Sequence, residues 1–596
     1  MTTNNTFFEV MLMNKEWSLD NLYKGYDDPK YTKDEARLDE LIREITDLCS
    51  NLSGDPADVL CKAVSLSQEL HTIVTTLFAY AELRMSVNTS DTASAAAAGR
   101  LANKLSAIAA PQSALTKYVA GIEDLQSVID SRDLLKEHEF YLKNIREEAQ
   151  YTLSPEVEKV ISLYRISGSS AWSDLQGYLT STVPVEYEGG ITTLSDIRNK
   201  AYDPDASVRK SAYEAELRSY DRIKDGIAFS LNSIKMEVIN SCKLRGYESP
   251  LDETLKNAHM KRETLDALLT AMQEYLPKFW DYMKAKAKLL GYENGLPFYE
   301  MFAPLEGNDT VFTTEDAKDY LVNLFSTFDK EETEMIARAF DESWIDFYPH
   351  DGKVGGAFCE GIPSIKESRI LTNFGGTLGD VVTLAHELGH AFHNHCLKDN
   401  SVLNLDVSMP VAETASTFNE VVCMNAAIAA EKDPIAKRAL LESQLSDANQ
   451  IICDIYSRYL FETSVFENRE NEFMFADKLC ELMLDAQKKA YGYGLDPNYL
   501  HPYMWACKSH YYSGGLSFYN FPYAFGGLFA RGLYAKYLHD GESFVPLYKK
   551  LLKATGTTTV EGAAEVAGID LTDVNFWRSS LQILADEIDE FIALCG

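Results

Sequence analysis

Residues 381–393 read Val-Val-Thr-Leu-Ala-His-Glu-Leu-Gly-His-Ala-Phe-His, and the spacing within this stretch sets the reading of the chain. Val381, Leu384, Ala385, Leu388, Ala391 and Phe392 recur every three to four residues and form one apolar stripe, while His386, His390 and His393 fall on another face. The stretch therefore reads as an amphipathic helix, started by the Gly- and Thr-rich residues before it. Residues four apart share a helix face, so the imidazoles of His386 and His390 can reach one zinc ion. Glu387 between them is then placed to act on a metal-activated water. Two histidines can meet this spacing by coincidence, but their position on an amphipathic helix, close to the candidate edge strand Ser368–Phe374, weighs against that.

Two imidazoles leave a zinc site incomplete. A metzincin would place Gly at position 393 and His at 396, where this chain has His393 and Cys396, so that subclass is disfavoured. A second helix is expected to begin near Ser408 and Pro410 and to run through Val411–Glu420 (VAETASTFNE). Glu413 in its first turns is the candidate third ligand, although a carboxylate there also fits a helix start favoured by the dipole. Glu420, seven residues on, shares that face and is a candidate to orient a ligating imidazole. His393 is a candidate neighbour of the metal face. His395 reads as a surface or packing residue, and Asp406 is a weaker candidate acid.

The segment His510–Tyr523 is dense in hydrogen-bond donors and carries the pair Gly514–Gly515, the composition of a loop able to close over a substrate. With 33 tyrosines in the chain, the same composition fits an ordinary aromatic core.

Helical patterns cover residues 34–52, 93–110, 154–166, 207–222, 261–290, 314–339 and most of 435–490. Strand patterns are few: Ser368–Phe374, and Thr180–Tyr187 around Pro184. A Gly-Gly and Thr-Thr break near Gly189–Asp196 divides the chain into an N-terminal helical unit, 1–195, and a second unit, 196–596. Against 56 Lys and Arg stand 90 Asp and Glu, a net charge of −34, which argues against nucleic acid and anionic membrane as partners. No run of about 18 apolar residues is present to span a bilayer. The first residues, MTTNNTFFEVMLMNKEW, lack the pattern of a signal peptide. Ten cysteines without a CxxC pair read as reduced thiols, and the expected location is the cytoplasm. No pattern sets an oligomeric state.

Leu384–His393 (LAHELGHAFH), Ala412–Glu420 (AETASTFNE) and Ser517–Gly526 (SFYNFPYAFG), in this order and spacing, resemble the oligoendopeptidase F group of the thimet oligopeptidase-like zinc peptidases. The resemblance is strong from Gly352 to Gly526, with weaker echoes in Leu244–Leu255 and Trp17–Tyr23. It implies a mainly α fold of two subdomains around a deep substrate channel, with a small β-sheet beside the motif helix. It implies one Zn2+ per chain on His386, His390 and Glu413, with Glu387 as general base. It also implies a His and Tyr residues on a Gly-containing loop that contact substrate and oxyanion; His510 and Tyr519 match best, then Tyr523, with Tyr512 the weakest match. Gly352–Ile362 and Ile370–Phe374 would line the channel. The expected activity is endopeptidase cleavage of short unstructured peptides. A carboxypeptidase or dipeptidyl-peptidase on the same scaffold would need a group that captures a peptide terminus. A peptide-binding protein without catalysis would have no need of Glu387.

Overall fold

Helices form wherever apolar residues keep helical spacing, and they stop where side chains compete for the backbone. A computed structural model describes residues 15–307 and 310–596. The reading of the chain's first residues falls mainly on 1–14, outside the described residues. Asp28 caps the helix Pro29–Ser50, accepting from the amide of Lys30, and that helix buries Leu38, Leu41 and Ile45. The 261–290 pattern is one helix, Arg262–Leu289. The 314–339 pattern, by contrast, is two helices, Thr314–Phe325 and Lys330–Asp341. Between them Ser326 and Thr327 donate to carbonyls three residues back, and Asp329 caps the second helix. The 435–490 pattern likewise divides into Pro434–Asn449, a π-helical turn at Gln450–Asp454, Ile455–Arg469 and Ala476–Tyr491.

The strand expected over Thr180–Tyr187 is mostly helix. Thr180 and Thr182 donate to the carbonyls of Gln176 and Tyr178, which extends the helix Ala171–Thr182 until Pro184. Only Val185–Tyr187 (β1) is extended, in a hairpin with Gly190–Thr192 (β2). Val185 and Leu194 before residue 195 and Ile197 after it share one buried cluster with Leu231, Phe461 and Trp505.

The second sheet holds Ile345–Asp346 (β3), Phe358–Ile362 (β4) and Glu367–Leu371 (β5) in the order β3-β5-β4. Ser368–Phe374 was the expected edge strand, and this is corrected: β5 lies at the centre, parallel to β3 and antiparallel to β4, with Cys359 opposite Ile370. The two-residue strand β3 is too short to leave a pattern. Ser368 to Leu371 are buried, whereas β4 has an edge that no other described strand pairs. Trp17, Leu22, Tyr23, Leu77 and Tyr80 from the N-terminal region pack on Ile362 and Leu371 of this sheet. The largest core runs from Val238 to Phe591 and contains Leu384, Leu388, Ala415, Phe418 and Phe525, so the helices that build the site are set in one buried mass. No described helix is long and apolar enough to cross a membrane.

Candidate active site

The motif helix spans Leu378–Leu397 and begins with a reciprocal cap. Thr377 Oγ1 accepts from the Asp380 amide at 3.2 Å, and the Asp380 carboxylate accepts from the Thr377 amide at 2.8 Å. Its apolar stripe is buried, which leaves His386 and His390 about a quarter exposed on the opposite face. Gly389 lies between them, and its position explains the glycine. A Cβ there would stand 2.5 Å from the Ala415 carbonyl oxygen and 2.6 Å from Ser416 Cα. The backbone of a partner helix, Thr414–Ala430, thus touches the motif helix beside the two histidines.

Glu413 does not lie within the first turns of a continuous helix, as expected, but at a joint. A short helix, Met409–Ala412, ends at Glu413 (φ −90°, ψ 11°), which then caps the partner helix. Pro410 starts the short segment without needing an amide partner. From the joint, Glu413 Oε2 reaches 3.4 Å from His386 Nε2 and 3.2 Å from His390 Nε2. Ser416 Oγ donates to the same oxygen at 2.7 Å. Gly526, on the helix Phe521–Asp540, presses on Glu413: a Cβ there would meet Glu413 Cβ at 3.2 Å. Glu420 Oε1 lies 2.9 Å from His386 Nδ1, fixing that ring from its far side.

Two carboxylates are within reach of the imidazole pair. Atoms of His386, Glu387 and His390 lie within 4.8 Å of one another, yet Glu413 Oε2 is closer to both rings. Glu387 is buried, and its Oε2 has no hydrogen-bond partner. It lines a cavity of about 460 Å³ together with His386, Glu420, Ala357, Thr372 and Phe374. Glu413 is therefore the better donor to a metal, and Glu387 is the carboxylate free to meet what enters the cavity.

The electrostatics favour a cation. Burial by itself would depress His386, but Glu420, Glu387 and Glu413 together raise it to about 9. Burial would raise Glu413, but the His390 hydrogen bond and charge, the Ser416 hydroxyl and His386 hold it at about 2. Burial pushes Glu387 up from the usual carboxylate range, against the pull of both imidazoles. Two imidazole nitrogens and a carboxylate oxygen converging among three acids match the donor set of a catalytic metal site.

His393 faces away from this centre. It is fully buried, with Nε2 2.8 Å from Thr555 Oγ1, and burial lowers it to about 4, so it is a neutral packing group. His395 pairs with Glu331 at 2.8 Å, and Asp406 is exposed.

The loop after Ser509 brings three rings together. His510 and Tyr519 have centroids 5.4 Å apart, Tyr519 and Tyr523 5.2 Å, and His510 and Tyr523 6.0 Å. Tyr523 Oη is 3.4 Å from His510 Nε2. Burial and the Tyr519 hydroxyl raise the Tyr523 phenol. Tyr512 is separate: it is buried and donates to the Trp505 carbonyl at 2.9 Å, shaping the loop from behind. Ser416 was missed by sequence reasoning, although its position three residues after Glu413 on a helix was a usable signal.

A mainly helical chain with an HExxH pair and a converging carboxylate is a metal-dependent peptidase in fold and site. Residues 200–583 match peptidase family M3, and the chain belongs to that family. Residues 120–183 match the Oligopeptidase F family. The chain is similar to Oligopeptidase PepF of Bacillus subtilis, 23% identical over 96% of this chain and 86% of that protein. It is also similar to Group B oligopeptidase PepB of Streptococcus agalactiae, 26% identical over 65% of this chain and 64% of that one. Among solved structures, a protein from Chlamydophila abortus superposes with a TM-score of 0.84 at 19% identity, covering 97% of this chain and 98% of that one. Oligoendopeptidase-F from Enterococcus faecium gives 0.69 at 19% identity, covering 95% and 98%. At these identities the structural likeness speaks for the fold.

Proposed function

We propose that this chain is a zinc-dependent endopeptidase that cleaves internal bonds of short, unstructured peptides. The observation that carries the reading is the approach of Glu413 Oε2 to His386 Nε2 and His390 Nε2, at 3.4 and 3.2 Å. These three residues would hold one zinc ion, which when bound supplies a Lewis acid for the scissile carbonyl and lowers the pKa of water. Glu387 takes the proton of the attacking water and delivers it to the leaving amine. Its partnerless buried oxygen supports that role. Glu420 grips His386 at Nδ1, so that the ring presents Nε2. Tyr519, with His510 or Tyr523, donates hydrogen bonds to the tetrahedral oxyanion. The open edge of β4 offers main-chain partners to an extended peptide, a mode that tolerates many side chains. The oligopeptidase names of the relatives support short peptides as substrates. The ten unpaired cysteines are consistent with work in the reducing cytoplasm.

Glu387→Gln tests the reading. The variant is expected to bind zinc as the native chain does and to lose about 10²- to 10⁴-fold in kcat, the usual worth of a general base. Near-native turnover would contradict the assignment. Mass spectrometry of products from peptides of graded length is expected to show internal cuts, and exclusive trimming from one end would move the chain to an exopeptidase.

A further inference from the structure

Tyr519 sits at the centre of a three-residue turn whose closing bond, from the Asn520 amide to the Phe518 carbonyl, is 2.6 Å. Phe518 holds φ +53°, a left-handed conformation that costs a non-glycine residue free energy and persists only where its surroundings enforce it. The enforcement comes from Glu462, on the helix Ile455–Arg469. Its Oε1 accepts from the Phe518 amide at 3.1 Å, and its Oε2 accepts from Asn520 Nδ2 at 2.8 Å, so one carboxylate grips both neighbours of Tyr519. Lys235, on the helix Lys224–Arg245, donates to the same Oε1 at 2.7 Å. Lys235 also lies 4.8 Å from the centre of the Phe466 ring, and Phe466 stacks on Phe518 at 5.5 Å. Asn520 Oδ1 accepts from the Phe521 amide at 2.6 Å and starts the next helix.

Lys235 and Glu462 are 0% and 1% exposed. An ion pair this deep costs desolvation, and apolar residues of similar size would stabilise a core at least as well. A carboxylate at this place does what an apolar side chain cannot: it accepts from two groups that flank one tyrosine.

We propose that Glu462, charge-balanced by Lys235, is a positioning residue that fixes the Tyr519 hydroxyl for the oxyanion. The proposal rests on the reading of Tyr519 above. It involves no contact between Glu462 and substrate, so its loss acts on turnover through Tyr519.

The test is a double-mutant cycle in the full-length, zinc-loaded chain. Glu462→Gln keeps the shape of the side chain but turns a donor toward Asn520. It is expected to keep zinc content and to hold KM within about threefold, while kcat falls by roughly 10- to 100-fold, the range for a misplaced catalytic group. In a Tyr519→Phe background the same change is expected to cost less than about twofold, because its target is already gone. Lys235→Met/Glu462→Gln removes both charges, so neither is left buried alone. It is expected to fold and to show the same loss of kcat. Additive losses in the cycle, or native kcat in that double variant, would overturn the positioning role while leaving Tyr519 in place. A native rate for Tyr519→Phe alone would overturn the reading of Tyr519, and this proposal with it. A Glu462→Gln variant that lost zinc and KM along with kcat would show that the pair only supports packing.

Discussion

Glu387 and Glu413 are the same residue type facing the same two imidazoles, and their immediate partners separate them. Glu413 accepts from Ser416 and sits between the rings, whereas Glu387 keeps a buried oxygen with no partner. Glu420 is the third acid, and its place at His386 Nδ1 makes it a handle on the ring. Glu420→Ala is expected to weaken metal binding by about 10- to 100-fold, read by competition with a coloured chelator, while the chain stays folded. Unchanged affinity would contradict the role. At this scale the sequence was most informative, because the four-residue spacing of His386 and His390 is itself the geometry of the site. Glu413 was harder, since a helix-starting acid has a bland alternative. What separates the two is the joint at Glu413 after Met409–Ala412, packed closely against Gly526, more than a hundred residues away. His393 shared the face of the pair on paper but turns to Thr555, a partner that helical periodicity does not reveal.

Pairs of helices carry the next level of order. Gly389 lets the motif and partner helices touch backbone to backbone, and Gly389→Ala forces a methyl group against Ala415. The variant is expected to lose about 1–3 kcal/mol of stability in denaturant unfolding and to bind metal more weakly, since Glu413 would move off with the partner helix. A variant with native stability and native affinity would contradict this packing. A second tie joins the helix Lys330–Asp341 to the partner helix: Asn419 Nδ2 donates to Glu332 Oε1 at 2.9 Å. Glu332 Oε2 and Asn419 Oδ1 are both buried without partners, the pattern left by a carboxyl that keeps its proton. Burial raises Glu332 to about 8 in the fold, above the usual 4.5. The proton is bound more tightly in the folded chain, so this group's stabilisation is complete below about pH 4.5 and is lost as the pH rises through about 8. Glu332→Gln supplies the missing donor permanently. Its denaturant midpoint is expected to exceed that of the native chain increasingly from pH 5 to pH 8.5, and a difference independent of pH would contradict a neutral Glu332. Helices were legible where periodicity ran unbroken, as in Arg262–Leu289. Joints were not, because side-chain bonds such as those of Ser326 and Thr327 leave the apolar period intact across a break.

Across the whole molecule, the site depends on segments far apart in the chain. The imidazoles come from the motif helix, the carboxylates from the joint and the partner helix, and the phenols from a loop held by Lys235 and Glu462, whose own contact spans 227 positions. Such convergence is invisible to local patterning. It entered the sequence reading only through resemblance, which named His510 and Tyr519 together with the motif. Because the helices that carry His386, His390 and Glu413 pack through Leu384, Leu388, Ala415 and Phe418 into the largest core, an ion held by those three side chains would couple ligation to global stability. Removing metal with a chelator is expected to lower the melting temperature and zinc to restore it, whereas a melting curve insensitive to both would argue against a built-in ion. The proposed function requires one ion held jointly by His386, His390 and Glu413. Anomalous diffraction from crystals of the zinc-loaded chain at the zinc edge tests it most directly. A single peak is expected, about 2.0–2.2 Å from both Nε2 atoms and a Glu413 oxygen. A peak elsewhere, or one at the histidines with the Glu413 carboxylate turned away, would contradict it.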